Sequence, residues 1–185
     1  HEGDTMDVGF LLGIPTRRAE RKPAHKRKPA DYDWVHGGGS IPQELRDAFV
    51  HRRQQIGQVE IIGAIMPYLS VPELLRGRKV IHFIDNTSAV ASLCKGYSNM
   101  PDSARLVHAF HAWQACAQTD VWFEYVPTKA NPADEPSRDP ALWGANFRPA
   151  TGVRSRPVHV CFPPLSHVQS ARAWRMEAER ARAQQ

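Results

Sequence analysis

The sequence predicts an α/β fold, a mixed central sheet with helices on both faces. Three apolar runs of strand length carry that expectation, over residues 8–14, 79–85 and 121–126. They are rich in β-branched and aromatic residues, which suit a pleated, packed surface. Between them lie two helical patterns. Residues 56–69 are apolar nearly all round, and Leu106, Val107, Phe110, Trp113 and Ala117 form an apolar stripe. Strands and helices interleaved in this way build one layered core.

The first strand, 8–14, leads into residues 16–30, a basic stretch punctuated by Pro23 and Pro29 that reads as a long loop. Tyr32 to His36 predicts a short strand stopped by Gly37-Gly38-Gly39. Pro42 then opens a short helix through Phe49, with Ser40 as candidate cap. The helix over 56–69 carries Pro67 near its end and must bury most of its surface against a sheet. The strand over 79–85 is apolar on both faces apart from His82, so it is expected to be central and covered. Thr87 to Lys95 predicts a short helix. Asp102 or Ser103 caps the next, whose outer face carries Arg105, His108, His111 and Gln114. The strand over 121–126 is expected to place Trp122, Phe123 and Tyr125 in the core. Asn131 as cap and Pro132 as first residue open a last short helix. Beyond Arg138 the chain turns to proline and arginine, and only 170–183 reads as a peripheral helix.

At 185 residues with 42% hydrophobic content, the chain holds one folded domain with appendages. The expected domain is 1–139 with a basic insertion at 16–30, followed by an extension over 140–185. A formal charge of +5 and a pI near 9.4 favour an anionic partner. The excess clusters at Arg17, Arg18, Arg21, Lys22, Lys26, Arg27 and Lys28, and again in the tail, as in nucleic-acid-binding segments, import signals or solvated loops. Cys94, Cys116 and Cys161 are odd in number and lack metal-ligand spacing, so free thiols in a reducing compartment are expected. No stretch is long and apolar enough to span a bilayer, and no secretory signal opens the chain. An intracellular protein, in cytoplasm or nucleus, is the expectation. The first residue, His1, reads as the start of a fragment or processed piece.

Three carboxylates stand where structure alone explains them poorly. Glu60 interrupts the apolar run Val59-Glu60-Ile61-Ile62. Asp85 ends a hydrophobic strand, and Asp134 lies in Asn131-Pro132-Ala133-Asp134-Glu135-Pro136-Ser137-Arg138. A carboxylate in an apolar setting is costly unless it is paired or binds a cation. Each has a plain alternative: Glu60 paired with a buried Arg, Asp85 capping a helix, Asp134 favouring a helix dipole. Together, from a helix, a strand end and a helix start, they predict a shared Mg²⁺ site.

Ile56-Gly57-Gln58-Val59-Glu60, Ile84-Asp85-Asn86-Thr87-Ser88-Ala89 and the Asn-x-x-Asp-x-x-Ser-Arg pattern ending at Arg138 resemble the ribonuclease H domain of retroelement reverse transcriptases. The resemblance spans roughly residues 7–139, with its motifs in the family's order. It implies a ribonuclease H-like fold and hydrolysis of the RNA strand of RNA–DNA hybrids with two Mg²⁺ ions, or Mn²⁺. Glu60, Asp85 and Asp134 match its catalytic and metal-binding carboxylates. Gln58, Asn86 and Ser88 fall where substrate contacts are expected. The implied partners are the hybrid and an upstream reverse transcriptase domain, with no membrane. The family's first carboxylate lies on a strand before the one at 8–14. Asp4 is one match for it; a position just upstream of His1 is the expected one. The histidine that many cellular members carry before the last helix is replaced by Pro127-Thr128-Lys129-Ala130, and the basic protrusion has no counterpart. The alternative is a catalytically inactive module of the same fold that serves a structural or nucleic-acid-binding role.

Overall fold

The computed structural model describes residues 6–50, 55–148, 152 and 154–168. Strands β1 (Asp7–Pro15) and β2 (Tyr32–Ser40) pair antiparallel with Gly9 opposite Gly38. Between them the basic stretch is more ordered than a loop. It holds a short helix, α1 (Arg17–Glu20), whose Ala19 amide donates to the Thr16 hydroxyl at 3.3 Å. Lys22 pairs with Asp31 at 2.5 Å, and the Arg27 guanidinium donates to the carbonyls of Ala19 and Lys22 at 3.0 and 3.2 Å. Part of the expected binding charge is thereby spent on holding the loop.

The triple glycine does not stop β2, which runs through it to Ser40. A Cβ on Gly38 would fall 2.4 Å from the Pro136 carbonyl oxygen and from Trp143 Nε1, and one on Gly9 would fall 2.5 Å from the Ser137 amide. These glycines thin one face of the sheet so that another backbone can lie against it. Ser40 does not cap the next helix, α2 (Gln43–Asp47); its hydroxyl donates to Asp7 Oδ1 at 2.5 Å.

Next come α3 (Ile56–Ser70), α4 (Pro72–Leu75), β3 (Lys79–Ile84), α5 (Thr87–Lys95), α6 (Pro101–Ala117), β4 (Asp120–Tyr125) and α7 (Asp134–Arg138). A short β5 (Ser155–Pro157) runs parallel to β2. It brings Ser155 to the buried His36. Leu142 O, 2.9 Å from Nε2, can only accept, so Nε2 carries the proton and the Ser155 hydroxyl donates to Nδ1 at 2.8 Å. The helix expected over 170–183 lies outside the described residues.

The strands form two sheets rather than one central sheet. One is mixed, in the order β1-β2-β5; the other is the parallel pair β3-β4. Helix α3 packs on one face of the first sheet, with Val8 side-chain atoms 3.4 Å from where a Gly63 Cβ would lie, and α7 covers the opposite face at Gly9 and Gly38. Ile62, Ile65 and Met66 of α3 join Leu106, Val107 and Phe110 of α6 in the core.

The strand over 79–84 is not covered on both sides, as its composition predicts. Ile81 and Phe83 are 67% and 55% exposed. Of the aromatic strand, Phe123 packs against the core, but Trp122 is 68% exposed and Tyr125 46%. Side chains alternate across a strand, so Ile81, Phe83 and Trp122 share an outer face that no layer among the described residues covers, while Tyr125, on the face of Phe123, is exposed at the end of β4. Asp102 is not a cap either. It is buried in the first turn of α6 and accepts from Gln58 Nε2 at 2.9 Å and from the Val50 amide at 3.0 Å. The three cysteines are free and exposed, and no helix among the described residues is long and apolar enough to cross a membrane.

Candidate functional site

A cleft of about 760 Å³ lies between β1 and β3, over α3. Val59, Glu60, Gly63, Ala64 and Pro67 line it from α3, a single face with helical spacing of three and four. One apolar helix thus seals the core with most of its surface and offers one carboxylate to the cleft.

Glu60, Asp85 and Asp134 all line this cleft and are all half-buried. Burial raises the pKa of Glu60 above its ordinary value, and the charges of Asp85 and then Asp134 raise it further. The charges acting on Glu60 are therefore negative, which disposes of the buried-Arg alternative. Asp85 is relieved of capping by its neighbour: Asn86 Oδ1 accepts from the Ala89 amide at 3.0 Å at the start of α5. Asp134 sits in the first turn of α7, and Arg138 pairs with it one turn on, at 3.0 Å.

The three carboxylates share a cleft rather than a ready-made cage. Among the described residues, no three His, Cys, Asp or Glu side chains stand in metal-holding proximity. The donor chemistry nevertheless suits a hard divalent cation, which takes oxygen ligands and keeps several waters. Crowded like charges that raise a carboxylate's pKa are relieved by such an ion. The Arg138 pair, with the arginine side chain 70% exposed, is a surface pair worth about 0–1 kcal/mol and is easily displaced.

The expected substrate contacts fare unevenly. Gln58 is 1% exposed and committed to Asp102, so it anchors α3 to α6 and does not reach a ligand. Its place two residues before Glu60 turns it about 200° around the helix, to the buried side. Asn86 lines the cleft with its cap already made, and Ser88 is exposed at the surface. Asp7, also on the cleft wall, is a fourth carboxylate that the sequence reading passed over. Its signal in the sequence was an acidic residue at the start of an apolar strand.

His82 takes no part as an acid at neutral pH. Burial pushes His82 down to about 4, and its Nδ1 lies 2.8 Å from the hydroxyl of the buried Tyr68. Burial raises the Tyr68 pKa, so the phenol keeps its proton and donates to the neutral ring. His111 bonds the Leu93 carbonyl at 2.9 Å, and His108 is exposed on the far side of α6.

Comparison with protein-family models, with curated proteins and with solved structures gives no match to this chain.

Proposed function

We propose that this chain is a ribonuclease H domain of a retroelement reverse transcriptase, a metal-dependent endonuclease that hydrolyses the RNA strand of RNA–DNA hybrids. The observation that carries the reading is the gathering of Glu60, Asp85 and Asp134 in one cleft, where the latter two oppose the ionisation of the first. Two divalent ions bound there supply an activated water and charge relief at the leaving oxygen. Glu60, Asp85 and Asp134 would hold them through carboxylate oxygens. Glu60 must give up its proton to do so, so cation affinity should rise with pH. Asn86, beside Asp85, keeps its amide nitrogen for a sugar or base edge while its oxygen caps α5. The 2′-hydroxyls of the RNA strand are the groups that separate RNA from DNA. Basic side chains would hold phosphates without reading sequence.

A second reading, a catalytically inactive ribonuclease H-like structural or nucleic-acid-binding module, draws on the Asp134–Arg138 pair, which neutralises one expected ligand. The deciding experiment is cleavage of a labelled hybrid with Mg²⁺ by a form extended upstream of His1, beside Asp85→Asn in the same form. Cleavage by the extended form and a loss of about a hundredfold or more in Asp85→Asn is expected, the scale of removing a group that stabilises developing charge. Cleavage unaffected by Asp85→Asn would remove the site from the mechanism. Hybrid binding without cleavage would establish the second reading.

A further inference from the structure

The carboxylate cleft holds a single basic side chain. Asp7, Glu60, Asp85 and Asp134 line its walls, and of the lysines and arginines among the described residues only Arg138 joins them. Arg27, Arg78 and Lys79 line a neighbouring cavity of about 1150 Å³ toward the Pro15 end of β1. The seat of α7 explains the difference. Pro136 is buried against the sheet at Gly9 and Gly38, and helical spacing turns Asp134, Ser137 and Arg138 to the cleft. The Ser137 hydroxyl donates to the Asp134 carbonyl at 2.9 Å and holds the turn. Arg138 Nη2 reaches both carboxylate oxygens of Asp134, at 3.2 Å from Oδ1 and 3.0 Å from Oδ2. The arginine side chain is 70% exposed and that of Asp134 31%, so the guanidinium stands on the water side of the carboxylate.

We propose that Arg138 is an exchangeable counter-ion, paired with Asp134 while the cleft lacks a divalent cation and contacting a phosphodiester oxygen of the substrate strand once Asp134 turns to a cation. The inference rests on the cation-binding reading of the cleft. A carboxylate offers a hard cation the same oxygen lone pairs that it offers a guanidinium, so the two compete for Asp134. An exposed ion pair is held loosely, and the exchange costs little. The released guanidinium then faces one kind of acceptor. Four carboxylates repel an anionic backbone, and among the described residues no other lysine or arginine on the cleft walls attracts one. The planar fork of donors that fits a carboxylate also fits a phosphate, whereas a lysine would act only as a point charge. The pair that neutralises Asp134 at rest thereby admits phosphate to a loaded cleft and not to an empty one. Linkage makes the effect mutual: cation and nucleic acid should each tighten the binding of the other.

The test compares the 185-residue chain with Arg138→Gln, using Mn²⁺ alone as the first probe. Calorimetric titration should show the variant binding Mn²⁺ about two- to fivefold more tightly, because the competing charge is gone. Fluorescence anisotropy with a labelled RNA–DNA hybrid is the second readout, in Ca²⁺ and in chelator. In Ca²⁺ the variant should bind hybrid about five- to tenfold more weakly, with a salt dependence lowered by about one phosphate contact. In chelator the two chains should bind alike. Arg138→Lys keeps the charge and loses the fork, so it should bind Mn²⁺ like the wild type and recover only part of the hybrid affinity. Equal Mn²⁺ affinity in wild type and Arg138→Gln would overturn the exchange. Unchanged hybrid affinity in Ca²⁺, or a defect of the same size with and without Ca²⁺, would overturn the phosphate contact. A variant that melts lower with both affinities intact would make the pair merely structural and overturn both. Failure of Mn²⁺ to bind either chain is a separate result, which removes the cation reading itself and this proposal with it.

Discussion

Glu60 concentrates the tension of the site at a single residue. Its pKa is raised from an ordinary 4.5 by burial first, then by Asp85 and Asp134. A carboxyl whose folded pKa lies above its unfolded value binds protons more tightly when folded. Stability therefore falls as pH rises from the ordinary value through the raised one, and stays lower above it. Glu60→Gln removes that loss. The variant should melt higher than the wild type at neutral pH, with the gap closing in acid, and thermal unfolding at a series of pH values measures it. Mg²⁺ should raise the wild-type melting temperature and leave the variant nearly unmoved, because a ligand of the folded state stabilises only where it binds. Gln58, two residues earlier, has the opposite profile. Gln58→Ala strips a hydrogen bond from the buried Asp102 and should cost about 1–3 kcal/mol in denaturant unfolding. Hybrid affinity of the folded fraction should be unchanged; a specific loss of affinity would restore Gln58 as a contact.

At the level of elements, β2 and α7 depend on each other through missing side chains. Gly38 lies 2.4 Å, measured from its notional Cβ, from both the Pro136 carbonyl oxygen and the Trp143 indole nitrogen, which are themselves joined by a 2.8 Å hydrogen bond. Gly38→Ala must push α7 off the sheet. Overpacking of this kind costs about 1–3 kcal/mol, read as a lower denaturation midpoint. Asp134 rides on α7, so Mg²⁺ affinity should fall as well; a variant with native stability and cation binding would show that α7 is free to yield. The triple glycine was read from sequence as a stop because glycine weakens strands in isolation. In the fold it is what lets two backbones approach, a property of the neighbour rather than of the strand.

Across the whole molecule, the carboxylates and most of the loop charge stand at opposite ends of β1. The nine residues of that strand separate them by about 25–30 Å, at about 3.4 Å per residue. Arg27, Arg78 and Lys79 line the far cavity and not the carboxylate cleft. A ligand engaging both ends would have to span the length of β1. Ile81, Phe83 and Trp122, which composition places in the interior, stand exposed because no layer among the described residues covers their face of β3-β4.

Local pattern determined the elements. The helix over 56–70, the strands over 79–84 and 120–125, and the helix over 87–95 were legible because periodicity and apolar runs reflect what each segment must bury. The three carboxylates were legible because a charge in an apolar run is anomalous wherever it falls. Tertiary structure alone decided which faces found a partner. It exposed Trp122, buried Gln58, drew β5 from the proline-rich extension onto β2, and left two sheets where one was expected. The physical reason is that burial belongs to pairs of surfaces, and a segment's sequence specifies only its own half.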